Sequence, residues 1–281
     1  MYRNTFLSVM FLACCFNGSL CAQSDAQIYE RTCDAKTYPF SDPSPVATPN
    51  NSYYPYFRFD GFSMQAQEKQ WKMVVLENDY VKLTVTPEIG GKIWGAIDKV
   101  NNKEFVYTNG VVKFRDVAMR GPWTSGGIEF NFGIIGHAPT CSTPIDYLTK
   151  KNVDGSVSCH IFSYEWITRT VWNVEINLPK DKAYFTTHTT WFNQSSIDQP
   201  YYQWMNAGYA TKTGTRFYYP GTYSIGHSGD LHPYPIDEEG RDVSWYDNNN
   251  FGASKSLHII GDYNDLNSNR QCNSVEFIVS K

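Results

Sequence analysis

The chain has 281 residues, a formal net charge of -4 and 16% aromatic residues, among them 20 Tyr, 17 Phe and 8 Trp. That length allows one large domain or two small ones, and as one domain its core needs no staples. The mild acidity supplies no basic face, which argues against a nucleic-acid partner, and the aromatic excess favours strands.

Residues 1–22 read as a secretory signal peptide. Arg3 carries positive charge, Phe6 to Cys15 form a short apolar core, and Ser19 to Ala22 give a small-residue exit, with cleavage after Ala22. Acylation at Cys21 would make a lipid-anchored protein instead, but Leu20 is bulky where a small residue is wanted. The expected location is therefore secreted or periplasmic. No stretch reaches the roughly 18 apolar residues of a membrane span. Past the signal, Cys33, Cys141, Cys159 and Cys272 remain. They allow three disulfide pairings, among which the sequence does not choose. Without a CxxC or a paired Cys/His spacing, no structural zinc is expected.

Residues 23–69 are polar and proline-rich, as in YPFSDPSPVATPNNSYYP, and read as an irregular leader. Residues 70–281 read as one β domain. WKMVVLEN, YVKLTVTP, KIWGAID and FVYTNG form an antiparallel meander; in the second, Val81, Leu83 and Val85 alternate with Lys82 and Thr84. GSVSCHIFSYEW, ITRTVWNVEINL and AYFTTHTTWFN are three long β-runs, the last placing His188 in an alternating strand. YYQWMNAGYA and TRFYYPGTYS are two more. No amphipathic helix of three turns interrupts them, so the pattern is that of a large all-β antiparallel sandwich. The tail, GDYNDLNSNRQCNSVEFIVSK, ends either in a last strand at VEFIV or in a truncated or altered terminus.

Phosphate loops, dinucleotide fingerprints, nucleophile elbows and HExxH are missing, and no cofactor is expected. His227 and His232, in HSGDLH, are poorly spaced to share a strand face as metal ligands. The chemistry concentrates in RGPWTSGGIEFNFGIIGHAPTCS, residues 120–142. Glu129 and Asn131 are two apart and share one strand face, while Phe130 and Phe132 point the other way. A carboxylate facing a cleft can act as general acid or base, with His137 as its partner. Arg120 and Trp123 precede the glycine pair, and Arg120 could bond hydroxyls or carboxylates. The plainer alternative pairs Glu129 with Arg120 and makes His137 a loop cap. Trp204 and Asn206 share a face by the same two-residue rule, and Tyr219, Tyr223 and His227 lie close along the chain.

TPEIGGKIWGAIDKVNNKEFVY resembles the opening hairpins of galactose-mutarotase-like domains. SGGIEFNFGIIGHAP resembles the Gly-Gly-x-Glu-x-Asn-Phe…Gly-His motif of one branch of that superfamily, and YYQWMNAGYA, a Tyr-Pro-Gly stretch and IGH resemble its next elements. The branch is an uncharacterised secreted bacterial family, a domain of unknown function often followed by tetratricopeptide repeats. The likeness covers roughly residues 70–262. It implies a supersandwich with a concave cleft that recognises carbohydrate. Two departures, the absent repeats and the polar tail after GDYND, imply a sandwich cut short at its C-terminus.

The resulting expectation is a secreted carbohydrate-active protein, a glycoside hydrolase or sugar epimerase, using Glu129 and His137 for acid–base chemistry. Arg120, Asn131 and Asn206 would bind hydroxyls, Trp123 and Trp204 would stack on the ring, and Tyr219 and His227 would complete the binding set. The alternative is a non-catalytic carbohydrate-binding or interaction domain of a polysaccharide-processing system.

Overall fold

The computed structural model describes residues 24–47, 54–58, 60–116, 121–133, 137–138, 140–200, 203–209, 213–225 and 231–248, with the backbone alone at 259–261 and 271–278. The signal-like residues 1–22, Arg120 and His227 lie outside them.

The first strands are β1 (Gln27–Tyr38), β2 (Gln67–Glu77), β3 (Val81–Thr86), β4 (Lys92–Asp98) and β5 (Lys103–Val106). Short pieces follow, β6 (Val112–Lys113), β7 (Arg115–Asp116) and β8 (Pro122–Trp123), and then β9 (Ile128–Phe132). Next come β10 (Asp146–Lys151), β11 (Val157–Glu165), β12 (Thr170–Leu178), β13 (Thr186–Asn193) and β14 (Gln203–Tyr209). The chain closes with β15 (Tyr223–Ile225), β16 (Leu231–Pro233), β17 (Ile259–Gly261) and β18 (Gln271–Ile278).

These build an all-β sandwich. A ten-stranded sheet runs β17-β18-β14-β9-β4-β3-β2-β1-β6, with β5 on β4, and a four-stranded sheet runs β10-β11-β12-β13. The pairing is antiparallel except where β1 meets β6. One core joins the sheets. Val74, Leu83, Ile93, Phe130 and Phe132 from the large sheet pack with Cys159, Ile161, Trp172, Val174 and Ile176 from the small one. In β12 burial alternates residue by residue, as a half-buried strand requires. Phe132 stacks on Trp172 at 4.5 Å and 11°, a direct bridge between the sheets.

At one end Asn78 joins both layers. Its Oδ1 accepts from the Tyr80 and Val81 amides, closing the β2–β3 turn, and its Nδ2 donates to the Pro179 and Lys182 carbonyls beyond β12.

The structure differs from the sequence pattern in three places. The leader is not irregular throughout: β1 lies within it and pairs along its length with β2. QIYERTCDAKTY reads as polar because most of β1 is exposed. DYLTKK, with no apolar alternation, forms the edge strand β10. TRFYYPGTYS, rich in β-formers, is mostly not a strand; only Tyr223–Ile225 pairs continuously, after the Pro220-Gly221 break. Of the VEFIV segment, residues 275–278 fall in β18, hydrogen-bonded to β14 in the large sheet, and Val279 lies outside the described residues. Among the described residues Cys33, Cys141 and Cys159 are free thiols, and no helix is long and apolar enough to cross a membrane.

Candidate functional site

β9 sits between β14 and β4, so its outer face collects residues from three strands. Asn131 pairs opposite Trp204, Glu129 opposite Asn206, and Ile128 opposite Ile93, which brings Lys92 beside Glu129. Gly127 permits this approach. Its φ is +66°, and a Cβ there would lie 2.3 Å from the Ile93 carbonyl oxygen.

Glu129 is 2% exposed and Asn131 0%. His137 Nδ1 lies 2.6 Å from Glu129 Oε1. On the other side, Lys92 Nζ stands 3.9 Å from Glu129 Oε2. Lys92 is itself buried and donates to both the carbonyl and the hydroxyl oxygen of Thr124. Asn131 Oδ1 accepts the Ala138 amide at 2.8 Å, pinning the chain where it carries His137. Two indoles enclose the imidazole: Trp204 at 4.7 Å and Trp123 at 6.1 Å between centroids, both edge-on.

Burial is the largest influence on the Glu129 carboxyl and pushes its pKa up. His137, Lys92 and the nearby Asn131 amide together outweigh it, and the net shift is downward. Glu129 is thus held as a carboxylate, which can only accept, so the hydrogen in the 2.6 Å contact belongs to His137 Nδ1. That leaves Nε2 as the imidazole nitrogen available to a ligand. The His137 side chain, 18% exposed, is the member of the pair that reaches the surface. Cys141 lies close by, its thiol donating to the Pro122 carbonyl, and burial with the Glu129 charge drives its pKa far up. It stays a protonated, unreactive thiol. Polar atoms without a hydrogen-bond partner remain here: Glu129 Oε2, Asn206 Oδ1 and Trp123 Nε1.

The structure therefore brings together Glu129, His137, Asn131, Trp123, Trp204 and Asn206. Tyr219 packs edge-on against Tyr234, with its phenol pushed by burial to about 12. Glu129 pairs with His137 and Lys92; the alternative partner, Arg120, is outside the described residues. Lys92 escaped the sequence reading because a lysine in a strand ordinarily marks a solvent face. Its signal was position, directly after Gly90-Gly91 and at the head of the apolar run IWGAI. The expected open cleft face is in fact covered: Glu129 and Asn131 lie beneath His137 and the two indoles. Among the described residues no cluster suited to a metal ion is found.

A β-sandwich with a buried Glu129 on β9, bonded to His137 from the connection that follows, defines the class. Residues 48–271 match the family described as Domain of unknown function (DUF5107), and the chain belongs to that family. It is also similar to the crystal structure of a TPR-domain containing protein from Parabacteroides distasonis ATCC 8503, with 26% identity and a TM-score of 0.64. That similarity covers 72% of this chain and 35% of the other, so the chain spans about a third of that protein's length.

Proposed function

We propose that this is a secreted or periplasmic carbohydrate-active protein that moves protons on a sugar through His137, with Glu129 holding the imidazole. The observation carrying this is the 2.6 Å Glu129–His137 hydrogen bond, buried on the carboxylate side and walled by Trp123 and Trp204. A carboxylate that fixes the tautomer of a partly exposed imidazole leaves Nε2 ready to take or give a proton. Indole rings with unbonded polar atoms beside them suit a ligand that has an apolar face and hydroxyl edges. The resemblance to galactose-mutarotase-like domains supports the same reading, and the signal-like N-terminus supports the location.

Among the described residues, the side chains paired with Glu129 are the His137 imidazole and the Lys92 ammonium. Glycoside hydrolysis ordinarily uses two carboxylates flanking the bond. Among the described residues the set joins one carboxylate to an imidazole, which suits ring opening or epimerisation. The test is anomer exchange or epimer formation from a panel of aldoses, followed by NMR. Active protein should lose about 10²–10⁴-fold in rate in His137→Ala, and Glu129→Gln should lose turnover while keeping sugar binding. Full activity in either variant would overturn the assignment.

A second reading has its own observation. Glu129 and Asn131 are buried and hold the 137–138 segment through hydrogen bonds. That is also how a non-catalytic carbohydrate-binding domain would fix a loop. Saturable binding with no product after long incubation would decide for it.

A further inference from the structure

A cavity of about 560 Å³ opens at the end of the sandwich away from Asn78, within the range of roughly 300–1,000 Å³ usual for ligand sites. It is distinct from the Glu129 site. Pro122 and Ala138 line it, whereas their neighbours Trp123 and His137 pack on each other and His137 bonds Glu129. Its walls come from the segment after β1, the start of β2, the β9–β10 connection and the β11–β12 turn.

That turn has an unusual construction. Glu165 is buried, and its carboxylate accepts from the Ile167 amide at 3.0 Å, the Thr168 amide at 2.6 Å and the Thr168 hydroxyl. Arg169 completes the reversal at φ 57°. Burying a carboxylate is costly unless hydrogen bonds satisfy it. Here those bonds fix the shape of a turn whose tip, Trp166, is 62% exposed at the cavity mouth. Tyr164 braces the indole edge-on at 5.0 Å, and Tyr54, itself 50% exposed, meets it at 5.7 Å. A rigidly held, exposed aromatic cluster is a preorganised binding surface.

We propose that this cavity binds a neutral, polyhydroxylated ring compound, a glycan, with Trp166 as the stacking platform. The lining beyond the aromatics is rich in neutral hydrogen-bonding groups: Gln67, Thr140, Ser142, Thr143 and Ser163. Ser41 adds a buried hydroxyl with no hydrogen-bond partner. Aromatic faces beside hydroxyl and amide groups match a pyranose, which has an apolar face and a hydroxyl rim. The charge then selects among sugars. Asp42 and Glu88 line the cavity as carboxylates, while the Lys69 ammonium lies over the Trp71 ring, 3.8 Å from its centroid. A net acidic lining repels uronates and sulfated sugars. This inference does not depend on proton transfer at His137.

The test titrates the full chain with maltohexaose, cellohexaose, xylohexaose, trigalacturonate and a hexaproline peptide, read by tryptophan fluorescence and calorimetry. At least one neutral oligosaccharide should bind saturably. Trp166→Ala should weaken that binding about tenfold, and Tyr54→Ala less; both side chains are exposed, and the fold should survive, as circular dichroism would check. His137→Ala should leave this affinity unchanged, which separates failure here from failure of the proposed activity. The proposal is overturned if no neutral probe binds, if only the uronate or the proline peptide binds, or if Trp166→Ala binds as the parent does.

Discussion

The two faces of β9 are equally buried and chemically opposite. Phe130 and Phe132 pack into the inter-sheet core, and Glu129 and Asn131 point to the other side under His137, Trp123 and Trp204. The apolar face gains stability from contact area alone and tolerates pH and salt. The polar face is stable only while every charge keeps its partner. One strand thus separates what holds the fold from what could do chemistry, and substitutions on each face should behave differently.

The largest effect belongs to the apolar face. Phe132→Ala should cost about 3–5 kcal/mol in denaturant unfolding, since it removes the ring stacked on Trp172 and leaves a cavity between the sheets. A loss under about 1 kcal/mol would show that the sheets are not joined there. Next, Lys92→Met should cost about 3 kcal/mol by leaving Glu129 a buried charge short of one partner. A double-mutant cycle with Glu129→Gln should return a coupling of about 0.5–3 kcal/mol, where the Phe132 and Lys92 changes should simply add.

Acid should discriminate the faces further. The folded pKa of Glu129 lies below its unfolded value. The group therefore contributes stability above the ordinary glutamate range, about pH 4.3, and that contribution is lost as pH falls through the lower folded value. Below about pH 4 the parent should lose stability faster than Glu129→Gln, and parallel curves down to pH 2 would refute the ionised, paired carboxylate. The smallest effect is at Tyr219→Phe, within about 0.5 kcal/mol in stability, because the substitution keeps the ring that packs on Tyr234.

How much of this could be read from sequence depends on what burial does to composition. Strands half-buried on the core announced themselves: Val81, Leu83 and Val85 alternate with Lys82 and Thr84, and β12 alternates throughout. The two-residue spacing of Glu129 and Asn131 located the polar face, and the later pairing of Trp204 and Asn206 with β9 followed the same parity. Strand β1 was illegible because an exposed strand lacks that alternation. Lys92 was illegible as a site residue because its partner, Glu129, is remote in sequence and only the β4–β9 pairing joins them. The Trp166 platform was hidden likewise. EWIT reads as a plain turn until Glu165 is seen folded back on its amides.

Asn78 carries a last consequence. Its side chain fastens both layers at one end, while the other end is partly hollow around the Trp166 cavity. Opening fluctuations of the sandwich are then lopsided, like a book bound at one edge. Amide hydrogen exchange should be slowest around the Asn78 clamp and fastest toward the β11–β12 turn, in a gradient along β2, β11 and β12. Asn78→Ala should flatten that gradient by freeing the spine.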